Sequence, residues 1–266
     1  MNVKKAFLGA LSRILRFAGL ILIIYISMVF YLALIERRNA YPRAITHNEA
    51  EAAIKGKAQT LSCTLSDGTL LEGFSIGEPG TPTLLYYPDA DEDAAQFLAE
   101  VEHIDGLTLT AFNYRGSANN KGTPSSETFV PDSKEIFGCV QKSSGREPQI
   151  LAGRGTGAIL ASLQKQDGKE LLLIDPVLSI AEAIANKYRF LYPKFLIRAK
   201  EAIPTKELIS KQSHIVILLD RKASCDRAHT TIVHLSQAKI KKRENKSLKT
   251  AIEESIFSHK KTLQSP

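Results

Sequence analysis

From Phe17 to Ile35 the chain reads FAGLILIIYISMVFYLALI, nineteen positions without a charge. At about 1.5 Å rise per residue, a helix of that length spans roughly 28 Å, close to the hydrocarbon thickness of a bilayer. The pattern predicts a single membrane anchor over 17–35, preceded by a basic segment over 1–16. A cleaved signal peptide competes, because Lys4, Lys5, Arg13 and Arg16 make a positive n-region, and a buried core helix is the third reading. The run is longer than an ordinary h-region, no A-x-A-like site follows it, and it stops at Glu36-Arg37-Arg38, all of which favours a retained anchor. Four Lys/Arg precede the run and three (Arg37, Arg38, Arg43) follow closely. This small excess places the amino terminus in the cytoplasm and the rest of the chain across the membrane.

Residues 36–58 are polar and rich in Ala and Glu, and read as a linker. A regular pattern occupies 59–266. LSCTL and TLLEGFSI flank a Ser-Asp-Gly turn, a hairpin signal. TLLYY (83–87), LTLTAFNY (107–114), QILAG (149–153), LLLID (171–175) and HIVILLD (214–220) are short apolar strands. Between them lie helical stretches at DEDAAQFLAEVEHI, around Asp132–Val140, and at GAILASLQ. SLKTAIEESIF ends the series as an amphipathic helix. Continuous apolar strands alternating with helices predict an α/β domain, its mostly parallel sheet covered on both faces.

Charge changes this picture little. The formal net charge is +7, with +5 in residues 1–38 and +5 in 239–261, leaving −3 for residues 39–238. The body is mildly acidic, so no nucleic-acid partner is expected. The basic run Lys239, Lys241, Lys242 and Arg243 reads as a solvated loop, with contact to anionic lipid as its alternative. Cys63, Cys139 and Cys225 are too widely spaced for a C-x-x-C zinc site, and one intramolecular disulfide remains open. No cofactor and no metal are expected.

The glycine run has two readings. Gly153, Gly155 and Ala158 satisfy G-x-G-x-x-A between a strand and a helix, and Asp175 follows about twenty residues later, where a ribose-binding acid would sit. That fingerprint lies mid-chain, behind two strand–helix units, whereas dinucleotide sites usually open their domain.

The wider context points elsewhere. Asn113, Tyr114, Arg115 and Gly116, followed by Gly122, Pro124, Ser125 and Asp132, form an NYRG…G-x-P-S…D segment. It resembles that of membrane-anchored α/β-hydrolase-fold proteins of the serine-hydrolase superfamily. The resemblance covers roughly residues 60–235 and implies an α/β-hydrolase-like domain with a nucleophile elbow, an oxyanion loop, an acid and a base. The elbow G-x-S-x-G aligns with Gly153, Arg154, Gly155, Thr156 and Gly157, which puts Gly155, without a side chain, at the nucleophile position. The oxyanion loop aligns with Pro88 and Asp89 in YPDADED. Pro88 lacks an N–H, and the carboxylates oppose developing negative charge. A solvated acidic helix start capped by Asp89 or Asp91 is the expectation there, with a cation-binding loop as alternative.

The acid position falls near Lys222, with Asp220 and Asp226 as neighbouring carboxylates and Asp226 expected as a helix cap. No His lies in AKIKKRENKSLK, where the base belongs. His103, His214, His229, His234 and His259 read as structural or exposed residues. The sequence therefore predicts a pseudo-hydrolase: a membrane-tethered binding or scaffolding domain with an unidentified protein or small-molecule partner. Hydrolase activity through other residues, and dinucleotide binding, are the alternatives.

Overall fold

In the computed structural model, residues 3–164, 169–188, 191–199, 203, 205–210, 214–220 and 238–262 are described. An eight-stranded sheet forms the centre: β1 (Gln59–Thr64), β2 (Leu70–Ile76), β3 (Thr83–Tyr87), β4 (Thr108–Phe112), β5 (Ile150–Arg154), β6 (Glu170–Ile174), β7 (Ile215–Leu219) and β8 (Ala238–Lys242). The spatial order is β1-β2-β4-β3-β5-β6-β7-β8. β1–β2 and β2–β4 pair antiparallel, and every later pair is parallel. The hairpin turns where expected: Asp67 Oδ1 accepts from Thr69 N, and Gly68 takes φ +83°.

β3, β5 and β7 are buried at all five positions, which is why their sequences are apolar without alternation. Successive residues still serve opposite faces. Leu84 and Tyr86 join one apolar core, while Leu85 and Tyr87 join the other. On the first face lie α2 (Asn48–Ile54), α3 (Ala94–Val101) and α8 (Leu248–Thr262). Tyr86 stacks on Phe97 of α3 at 3.5 Å between ring centroids, which adds about 0.5–1.5 kcal/mol to the area buried. The second face carries α4 (Ser126–Ser144), α5 (Gly157–Gln164), α6 (Ile180–Tyr188) and α7 (Thr205–Ser210). A disulfide joins Cys63 on β1 to Cys139 on α4, with Cα atoms 5.7 Å apart.

Three elements differ from the sequence reading. The basic run is not a loop but the edge strand β8, whose lysines suit a sheet margin that must not pair with another chain. The helix expected around Asp132 begins at Ser126, where Thr128 Oγ1 accepts from Ser125 N at 3.0 Å. The stretch read as a linker lies against the body. Glu36, Tyr41 and Ala44 are buried, and Arg43 N, Ala44 N and His47 N donate to Ala90 O, Ser117 Oγ and Asp93 Oδ2.

α1 runs unbroken from Val3 to Ala40. Within it, Phe7–Glu36 is long and apolar enough to cross a membrane, and only 6% of its most apolar window is buried by the protein.

Candidate functional site

The sheet places the carboxyl ends of β3 and β5 side by side, with Tyr87 in register with Gly153. β5 turns into α5 through Gly155 and Thr156. Gly155 has φ +53°, the left-handed conformation of a strand-to-helix elbow. Gly153 and Gly157 serve contact rather than chemistry. A Cβ on Gly153 would lie 2.4 Å from Gly157 O, and one on Gly157 would lie 2.0 Å from Tyr87 O, so β5, α5 and β3 approach closer than any side chain permits. A tight strand-to-helix turn thus joins β5 to α5 at these glycines.

The loop after β3 folds over this elbow. Asp89 Oδ1 accepts from Thr156 N at 3.0 Å, Ala90 N at 2.8 Å and Thr156 Oγ1 at 3.2 Å. The amides of Thr156 and Ala90 thus hold a carboxylate of the protein itself. The vacancy left by a glycine at position 155 is filled by the same group, since a Cβ there would lie 2.1 Å from Asp89 Oδ1.

Gly155→Ala is therefore expected to lower stability by about 3 kcal/mol, combining left-handed strain with overpacking. In an Asp89→Ala background its cost should fall to about 1 kcal/mol, a coupling typical of touching groups. Denaturant unfolding of the four chains of this cycle measures the difference, and additive effects would contradict the contact.

Of the loop's other carboxylates, Asp91 is exposed, while Asp93 and Glu92 are buried and employed. Asp93, rather than Asp89 or Asp91, caps α3: its Oδ1 accepts from Ala95 N while Gln96 Oε1 accepts from Asp93 N. Glu92 is buried. Its Oε2 accepts from Tyr86 Oη at 2.7 Å and from Asp89 N at 3.0 Å, and its Oε1 accepts from Arg154 Nη1 at 2.6 Å. Burial pushes the Glu92 carboxyl above its usual value, and the Arg154 guanidinium opposes that rise. Arg154, the second residue of the elbow pentapeptide, also reaches Glu100 and Asp220, and Arg243 bridges that same pair. Asp220 thus follows β7 and Arg243 follows β8 as an ion pair at 2.7 Å. Among the described residues, no group of three or more His, Cys, Asp or Glu is placed to hold a metal ion.

The NYRG…D segment braces the same loop. Asn113 Oδ1 accepts from Ala94 N and its Nδ2 donates to Asp93 Oδ1, while Tyr114 Oη donates to Pro88 O. Arg115 holds Asp132 with two hydrogen bonds, Nε to Oδ2 at 2.8 Å and Nη2 to Oδ1 at 3.0 Å. Gly122, at φ +98°, passes so close that a Cβ would lie 2.6 Å from Arg115 Cγ. Arg115 Nη1 donates to Asp67, whose carboxyl it holds down at about 2.

The remaining candidates scatter. Asp175 takes φ +44° and accepts from Asp220 N, tying β6 to the exit of β7. With Asp89 on the elbow amides, the turn offers a pyrophosphate no free cradle, so the dinucleotide reading loses its geometric basis. His103 pairs with exposed Asp105, and His214 precedes β7 at φ +60°. His259 lies within α8. Lys222, Cys225, Asp226, His229 and His234 fall outside the described residues. Sequence reasoning missed the roles of Glu92, Glu100 and Arg243. Their only advance signal was an arginine, Arg154, inside an otherwise small-residue elbow.

Strand order, elbow and flanking helices are those of the α/β-hydrolase fold, and solved structures agree. An α/β-hydrolase from Vibrio vulnificus superposes with a TM-score of 0.66 at 14% identity, covering 88% of this chain and 92% of its own. An esterase from Pyrococcus furiosus superposes at 0.55 and 12% identity over 84% and 94%. A proline iminopeptidase-related protein from Thermus thermophilus gives 0.55 and 12% over 75% and 97%. No protein-family model matches the chain. Among curated proteins it is similar to the uncharacterized protein YfhR of Escherichia coli, 28% identical over 49% of this chain and 51% of that one, so the chain spans about half the length of this relative.

Proposed function

We propose that this chain is a membrane-tethered α/β-hydrolase-fold protein that has lost acyl-transfer chemistry and serves as a binding or scaffolding domain. The observation that carries the reading is the Asp89 carboxylate seated on the elbow amides opposite a glycine. A nucleophile is missing at the elbow, and its charge-stabilising donors are spent on an internal anion. Removal of a nucleophile alone abolishes most of the covalent rate enhancement in enzymes of this chemistry.

One observation favours a second reading, hydrolysis through other residues. Thr156 Oγ1 donates to Asp89, a hydroxyl on a carboxylate. Against it, Thr156 is only 1% exposed, and an alkoxide formed there would face the negative charge of Asp89. The full-length protein in detergent, exposed to a broad fluorophosphonate beside a circular-dichroism control, separates the two. Folded, unlabelled protein is the expected result. Labelling mapped to a serine or threonine of the folded protein would install the enzyme reading instead.

We further propose that α1 is retained as a single-span anchor and that the domain lies on the non-cytoplasmic side. The slight basic excess before the span supports that orientation, as does the Cys63–Cys139 disulfide, which persists in oxidising compartments.

A further inference from the structure

Resting on the anchor reading, we infer that the loop 191–199 dips into the membrane leaflet on the domain side, with Phe195 and Leu196 as the inserted residues. The argument begins with where the domain grips α1. Met28, Val29, Leu32, Ala33 and Ile35 pack against the core, and Glu36 is buried. These positions recur at helical spacing and line one side of the helix. Ile26, Phe30, Tyr31 and Leu34 on its other side stay exposed, each more than half accessible.

The gripped positions belong to the uncharged run, not to a stalk beyond it. Residues 28–35 cover about 12 Å of helix, the last part of a span that itself measures about 28 Å. Sliding the helix outward to clear the domain from the bilayer would draw Arg16 and Arg13 towards the bilayer centre, where a guanidinium is costly to hold. The two arginines therefore fix the near end of the span, and the gripped end lies at leaflet depth.

The residues that hold Glu36 are those flanking the loop's tip. Tyr192 Oη donates to Glu36 Oε2, while Arg198 N and Ala199 N donate to Glu36 Oε1 at 2.7 and 2.6 Å. The loop thus begins and ends at the point where α1 leaves its apolar run. Between these anchors the 3-10 turn Lys194–Leu196 carries Phe195, 80% exposed, and Leu196, 38% exposed. Exposed Lys194 and Arg198 stand on either side. An apolar tip between basic residues suits the acyl–headgroup boundary, where the rings and chains are buried and the cations meet lipid phosphates. Lipid is the occupant that the continuity with α1 selects.

The chain has no tryptophan, so one substitution makes a clean reporter. Full-length Phe195→Trp and Leu22→Trp chains, both at exposed positions, are reconstituted in vesicles whose lipids carry bromine on the acyl chains. Expected is strong quenching of both reporters, with Phe195→Trp shielded from aqueous acrylamide. Quenching of Leu22→Trp alone overturns the inference and leaves the anchor standing. Quenching of neither removes the anchor and the inference together.

Discussion

Replacing both Cys63 and Cys139 by alanine is expected to lower stability by about 4 kcal/mol. The bridge closes a loop of sequence separation 76 between β1, an edge strand, and α4 on the sheet's second face. In the chain-entropy account, a cross-link over such a loop removes roughly 4.5 kcal/mol of freedom from the unfolded state, and measured losses run at about 2–5 kcal/mol. Cys63 is fully buried in the core, so its truncation also leaves a small void. Thiol titration of the denatured, unreduced chain should find one reactive thiol, Cys225, rising to three after reduction. Three thiols before reduction would deny the bridge and take away one support for the non-cytoplasmic placement of the domain.

Arg154→Met should cost a similar amount, about 3–5 kcal/mol, because it strands a buried carboxylate. Glu92 would lose its partner at 2.6 Å while remaining buried among Tyr86, Asp89 N and the β3 loop. Its carboxyl, already raised by burial, would rise further without the guanidinium. A raised value means that the folded chain binds the proton more tightly than the unfolded one. The deficit should therefore be largest near neutrality and shrink as pH falls through the raised value towards the ordinary 4.5. Urea unfolding at pH 7 and pH 5 reads this directly. A deficit that does not change with pH would place the damage elsewhere, in Glu100 and Asp220.

What the sequence disclosed, and what it hid, follow from the range of the interactions involved. TLLYY, LLLID and IVILL announce buried parallel strands because both faces need apolar side chains. AKIKK hides β8 because an edge strand buries almost nothing, so three lysines in five residues look like a loop. The strand-to-helix turn was legible as glycine spacing, and Gly155 at its centre takes the positive φ that such a turn requires. The resident of that space was not legible, since Asp89 lies 67 positions from Thr156, whose amide it accepts, and its segment looks like any acidic helix start. Tyr86–Glu92–Arg154 hides the same way, an ionic core distributed over two strands and a loop. Glu36 seemed the first residue of a linker, and only its contact with Tyr192, 156 positions away, shows it to be a docking point.

The glycine and the aspartate at the elbow also bear on how this chain could change over generations. Placing serine at position 155 alone would drive its Cβ into Asp89. Removing Asp89 alone would free two amides while supplying nothing to acylate. Neither step alone would complete an elbow, so on the proposed reading an active one lies at least two substitutions from this sequence. On the proposed reading, such a pair works as a ratchet that holds the elbow in its present state against any single substitution.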